Sequence, residues 1–251
     1  MTAHTIDEVI VQLDEAIARA RLEESRLGFF TVLYRNVTLK VKEGINSGFF
    51  EDGARIERLD VTFANRYLAA LESFRLGEQP SKCWLVSFEA ALTRQPLILQ
   101  HLLLGINAHI NFDLGIAAAE TCPGDELPGL KTDFDRINTI LGGMLMKVKE
   151  NIDELSPWIK VIDMVAPRTE DRIINFSLDK ARQSAWLVAN LLASASPDQQ
   201  ARKLEILDSA VAAFGRLIRN PRGWLISIAI RIIRLRESND VPHVIDVLSQ
   251  T

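Results

Sequence analysis

The chain has 251 residues, 47% of them hydrophobic and 25% charged, with a formal net charge of -4. That profile belongs to a globular chain long enough to bury a sizeable core, and the slight acidic excess speaks against a general nucleic-acid binder, which carries a basic surplus. Two cysteines, Cys83 and Cys122, cannot by themselves build a disulfide framework or a cysteine-based zinc motif.

The N-terminal run Met-Thr-Ala-His-Thr-Ile-Asp-Glu has neither a basic start nor a continuous apolar stretch, so it does not read as a secretory signal. No run reaches about 18 uninterrupted apolar residues, which predicts no transmembrane helix. A cytoplasmic location is the default expectation, and two free thiols fit it.

Nearly every segment reads as helix. Thr5-Ile6-Asp7-Glu8 is a capping-box pattern, followed by Ile6, Val9, Ile10, Leu13 and Ile17 at helical spacing. A second helix is predicted from Gly28 to about Asn46 and a third from Glu51-Asp52-Gly53 to about Leu76. A fourth runs through Trp84, Phe88 and Leu92, with Ser81 as its cap. Pro96 opens a central helix that Thr121-Cys122-Pro123-Gly124 closes. After a Pro/Gly-rich loop to Gly129, a long helix begins near Leu130 and Pro157 divides it from a shorter one ending near Pro167. Thr169-Glu170-Asp171 caps the next, through Trp186 to Ala195. Ser196-Pro197-Asp198 opens another that ends near Asn220, and Pro221 precedes a last one through Trp224, Ile228 and Ile232. Alternating apolar runs bounded by turn pairs are missing. The predicted fold is therefore all-α: one domain over residues 1–251, with about eight to ten helices around a buried polar central helix. Gly142-Gly143 is predicted to allow close helix packing.

The central stretch Gln100–Leu114 is mostly apolar, yet His101, Asn107, His109, Asn111 and Asp113 are threaded through it. Buried polar groups need partners or a ligand. At about 100° per residue, His101, Gly105, His109 and Asp113 fall in one drifting row, with Gln100, Asn107 and Asn111 on the opposite side. His109 and Asp113 share a face at a spacing that can reach one metal, and Asp60 and Asp133 are remote carboxylates that could join them with His101. A divalent zinc, manganese or iron ion there would supply a hydrolytic water. Asp133 and Asp135 also have an ordinary reading, as acids in the opening turns of a helix. Asp60 interrupts the apolar register of Leu59, Phe63 and Tyr67, and an ion pair to Arg66 would explain it equally well. Arg182 could clamp an anionic substrate, with a solvated surface arginine as the plainer reading; Asn65 and Asn138 read as facing solvent.

Arg216, Arg219, Arg222, Arg231, Arg234 and Arg236 gather around Trp224, Leu225, Ile226 and Ile230. This 216–236 region is compatible with contact to an anionic membrane surface, though a terminal helix packed on the core explains it more simply.

The blocks Asn-Ala-His-Ile-Asn-Phe-Asp-Leu (107–114), Leu59-Asp60-Val61, Phe63-Ala64-Asn65-Arg66-Tyr67-Leu68, Gln100 to Gly105, Asp133-Phe134 with Ile137-Asn138, and Arg182 with Ala185-Trp186 resemble a bacterial family of domains of unknown function. The resemblance spans roughly residues 28–220 and implies an all-helical fold. A looser similarity is to the helical zinc-dependent phospholipase C and nuclease group, which also places His-x-x-x-Asp on a helix; this chain's four histidines fall short of that group's fuller set.

Two readings follow. One is a helical protein whose pocket is formed by Asp60, His101, His109, Asp113 and Asp133, with Asn107, Asn111, Asn138, Arg182 and Tyr67 beside them. It would bind a metal or a small molecule and, as an enzyme, hydrolyse a phosphoester-type substrate. The other is a non-enzymatic interaction protein in which the His/Asn/Asp helix is a hydrogen-bond network.

Overall fold

The computed structural model describes residues 2–159 and 178–250, and every regular element among them is helical. The first four helices are α1 (Ile6–Leu22), α2 (Leu27–Asn46), α3 (Gly53–Arg75) and α4 (Lys82–Ala91). One continuous helical rod follows: α5 (Ile98–Ala108), a π-helical segment at His109–Leu114, and α6 (Gly115–Thr121). After a 3₁₀ turn at Gly124–Glu126 come α7 (Leu127–Leu155), α8 (Leu178–Ala193), α9 (Pro197–Arg219), α10 (Trp224–Arg234) and α11 (Val241–Leu248). The short helix expected after Pro157 and the Thr169 cap lie outside the described residues.

The helix starts show how local sequence and tertiary partners share the work. Thr5 caps α1 by accepting the Glu8 N–H at 3.2 Å, but Glu8 reaches past the cap to the His4 N–H at 2.7 Å rather than to Thr5, so only half of the predicted box forms. Ser81 does not cap α4 with its side chain. Instead the Asp208 carboxylate from α9 accepts the N–H groups of Lys82 and Cys83 at 2.8 and 2.9 Å. Glu237 does the same for α5, accepting the Ile98 N–H at 3.1 Å. An α-helix leaves its first N–H groups unsatisfied, and a buried start must find acceptors elsewhere. The predicted loop to Gly129 is shorter than expected, because proline is tolerated in a first helical turn and α7 takes in Pro128 and Gly129. Helix α11 lay beyond the predicted elements, although Asp240 caps it by accepting the His243 N–H at 3.0 Å.

The rod from Ile98 to Thr121 is enclosed by α2, α3, α4, α7, α8 and α9. Its 24 residues are long and apolar enough to cross a bilayer by length and composition, but 72% of that window is buried inside the fold. Its apolar sides are therefore taken by other helices. Each fully buried large side chain there, such as Leu102, Leu104 or Leu114, contributes about 2 kcal/mol of burial. Two glycines set how closely its neighbours approach. A Cβ at Gly105 would lie 2.3 Å from the Phe30 ring, and one at Gly115 would lie 2.6 Å from the Ala185 carbonyl oxygen.

Gly142 and Gly143 do not mediate close packing: both are exposed, and no atom lies within 4 Å of a Cβ built at either. At the other end of the chain, α10 buries Ile226, Ala229 and Ile233 and leaves Trp224, Leu225, Ile228 and Ile232 exposed. Its arginines are not uniformly solvated, since Arg234 donates to the Arg94 carbonyl and pairs with Glu237 at 3.3 Å.

Opposite outcomes are expected at two helical glycines. Gly115→Ala, against a backbone carbonyl that cannot move aside, should cost about 1–3 kcal/mol. Gly142→Ala, in open space, should stabilise by about 0.5–1 kcal/mol. Chemical denaturation of both variants measures the difference.

Candidate functional site

The π-helical segment carries His109, Asn111 and Asp113 of the motif, and Asn107 lies just before it on α5. A π turn bonds i to i+5 and widens the helix, and it occurs preferentially at functional sites. Here it spans His109 to Leu114 and turns the His109 ring into a cage of aromatic side chains. Phe63 from α3 stacks on the imidazole at a centroid distance of 3.5 Å and 8° between planes. Tyr34 from α2 meets it edge-on at 4.2 Å, and Phe30 at 5.6 Å.

Both His109 nitrogens are buried without a hydrogen-bond partner. The Asp113 carboxylate approaches Nδ1 only to 3.9 Å, too far for a hydrogen bond. Burial drives the His109 pKa below the ordinary histidine value, outweighing the upward pull of Asp113. His109 is a neutral imidazole in an apolar cage.

Asp113 itself is fully engaged. Arg66 Nε donates to Oδ1 at 2.9 Å and Trp84 Nε1 donates to Oδ2 at 2.7 Å. Arg66 also pairs with Glu120 at 3.4 Å, so the partner suggested for Asp60 belongs to Asp113 instead. The Arg66–Asp113–Trp84 chain joins α3, the π segment and α4, and fixes the backbone on which His109 sits.

Asp60 is buried on α3, and Oδ2 has no partner. Burial, with a smaller contribution from the Glu57 charge, raises its pKa to about 7. Asp60, His109, Tyr34 and Arg182 line one cavity of about 150 Å³. Its remaining wall is apolar: Val37 and Val41 of α2, Ile56 and Leu59 of α3, Ile110 and Leu114 of the π segment, and Ile137, Leu141 and Met144 of α7 among them. Tyr34 Oη and Arg182 Nε also lack partners, and burial raises the Tyr34 phenol well above its ordinary pKa. Five unbonded buried polar atoms thus belong to the four polar residues of a single apolar cavity.

The other expected site residues go elsewhere. His101 packs edge-on against Phe29 at 5.7 Å, and burial drops its pKa to about 3, with Arg26, Arg234 and Arg219 adding to the shift. Asp133 anchors the entry to α3, accepting the N–H groups of Glu51 and Asp52 at 2.8 and 2.9 Å and facing Arg55 and Arg136 at 3.2 Å. Burial alone would raise its pKa, but these four donors hold it below the ordinary carboxylate value. Asp133 therefore does more than offset its own helix's dipole, while Asp135 pairs with Lys131. The five suggested ligands do not form one set, and no group of three or more His, Cys, Asp or Glu side chains that could hold a metal occurs among the described residues.

On the opposite row, Gln100 donates to the Ile218 carbonyl at 2.7 Å, Asn107 donates to the Val211 carbonyl at 3.0 Å, and Asn111 donates to Asn107. These side chains tie the rod to α9. Tyr67 donates to Thr31 Oγ1 at 2.6 Å, because the single Thr31 proton goes to the Leu27 carbonyl. Asn65 exchanges two hydrogen bonds with the Ala3 backbone rather than facing solvent. Asn138 is half-buried, and its Oδ1 has no partner. Arg182 is no surface residue: it is 2% exposed.

Sequence reasoning missed Tyr34 and the cage formed by Phe30 and Phe63. Tyr34 and Phe30 sit in a helix whose four-residue spacing was legible, but nothing in that spacing says that α2 faces His109.

A family model described as "Family of unknown function (DUF5995)" matches residues 6–221. The chain belongs to this family. The match extends the resemblance seen in the sequence motifs to the whole of α1. No curated protein and no solved structure matches the chain.

The shifted acid gives a pH test. Asp60 binds its proton more tightly folded, with a pKa near 7, than unfolded near 3.9. Its contribution to stability is therefore fullest at low pH, falls as pH rises from about 4 to about 7, and stays low above that; the difference is worth up to about 4 kcal/mol. Neutral His101 and His109 act oppositely, losing stability as pH drops below about 6.5. Substitution isolates the acid. Asp60→Asn should raise the melting temperature over the parent by more at pH 8 than at pH 5, and an equal change at both would contradict a buried, shifted Asp60.

Proposed function

We propose that this protein binds a small, largely apolar organic molecule in the cavity between α2, α3, the π segment, α7 and α8. The observation that carries the reading is the coincidence of an apolar cavity with the unbonded atoms of Tyr34, Asp60, His109 and Arg182. Buried polar groups without partners are rare and each needs a reason; a bound molecule with polar ends would satisfy several at once. Small-molecule sites have this character, with apolar walls and a few convergent polar groups whose pKa values are displaced. A volume near 150 Å³ is about that of an engineered apolar cavity that takes up benzene.

Asp60 would act as a hydrogen-bond donor below about pH 7 and an acceptor above it. His109, held neutral, would present one donor and one acceptor. A metal-dependent phosphoesterase has weaker support, because both Asp113 oxygens are committed to Arg66 and Trp84 and Asp133 is committed to the start of α3. The hydrogen-bond network of Gln100, Asn107 and Asn111 supports the structural reading for the far side of the same helix, and the two roles coexist.

Calorimetric titration with toluene and indole should show saturable binding to the parent protein. Leu141→Trp, which fills the cavity from α7, should abolish that binding while the circular-dichroism spectrum stays helical. Retention of probe binding in the filled variant would place the site elsewhere. Stoichiometric zinc, manganese or iron that is lost in His109→Ala would replace this reading with a metal centre.

A further inference from the structure

The cavity wall holds a cation that no carboxylate among the described residues touches. Arg182 is 2% exposed and lines the cavity from α8. Nη2 donates to the Phe134 carbonyl at 2.5 Å, and the guanidinium lies over the Phe134 ring at 4.4 Å from its centroid. Nε is buried and unbonded. Among the described residues no carboxylate forms an ion pair with it, and the acids that act on it, Asp135 and Asp179, do so without contact.

An unpaired buried charge is unfavourable unless something pairs with it. The stacked ring and the carbonyl hold the guanidinium in place, and a planar carboxylate is the anion whose two oxygens match the paired donors of a guanidinium. We propose that Arg182 is the anion-binding residue of the cavity and that the ligand is a small hydrophobic monocarboxylic acid, its carboxylate on Arg182 and its hydrocarbon part against the apolar wall. This rests on the ligand-binding reading above and names the ligand's class.

The size and charge of the site favour a carboxylate over a phosphate ester. One guanidinium supplies one positive charge, and the cavity of about 150 Å³ holds an apolar group of roughly benzene size. Asp60 does not oppose the arrangement, because burial keeps it protonated up to about pH 7.

The probes are phenylacetate, its neutral near-isostere phenylacetamide, and phenyl phosphate, titrated calorimetrically into the full chain at pH 6.5. Phenylacetate should bind at least about tenfold more tightly than phenylacetamide. Arg182→Gln should bring the two within about twofold, with the acid losing more than the amide, as expected when the charge pairing is removed. Arg182→Lys, which keeps the charge but not the paired donors, should fall between; it carries the test if the glutamine variant does not fold. Equal binding of acid and amide to the parent, or an acid preference as large as the parent's in Arg182→Gln or Arg182→Lys, overturns the carboxylate assignment but leaves the apolar-ligand reading standing. Tighter binding of phenyl phosphate overturns the carboxylate class. Failure of all three probes, together with toluene and indole, overturns both.

Discussion

Burying the rod from Ile98 to Thr121 obliges its polar groups to find partners, and other elements supply them for Gln100, Asn107 and Asp113 but not for the ring nitrogens of His109 or for His101 Nε2. Gln100 and Asn107 reach carbonyls of α9, Asp113 receives Arg66 from α3 and Trp84 from α4, and Glu237 closes the rod's own start. Each such bond is worth little net, but an unmade one inside the core is costly. The polar residues therefore specify which helices lie where, while the apolar ones supply most of the burial energy.

Carboxylates from distant segments do the same at helix starts. Asp133, Asp208 and Glu237 each accept backbone N–H groups at or just before the first turn of a helix far away in sequence. Charge on a buried carboxylate is tolerable when oriented N–H dipoles and nearby arginines meet it. This explains why acids that look like spare ligands in the sequence are spent on architecture.

Single unbonded atoms also occur on Arg55, Arg75, His101 and Asn138, but the cavity gathers four such residues in one lining. Tyr34, Asp60, His109 and Arg182 carry unbonded atoms in one place, where the fold pays for polarity without recovering it in stability. Proteins accept such local penalties chiefly at sites of function. The π segment contributes twice, by turning His109 into its aromatic cage and by leaving Asp113 on the bonds that hold the segment in place.

The sequence by itself determined the helical class, most helix boundaries and the unusual polarity of residues 100–114, because apolar periodicity and capping chemistry are local properties. It also singled out His109, Asp60 and Arg182 as residues needing a reason. Tertiary structure alone decided which of the polar residues meet. Spacing on one helix says that His109 and Asp113 are neighbours, but a π turn replaces the assumed 3.6-residue period. Whether Asp133 faces His109 or the start of α3 depends on how α7 lies against its neighbours, and so does the burial of Arg182. Those are consequences of packing between elements remote in sequence, where a side chain's partner is chosen by the shape of the whole core.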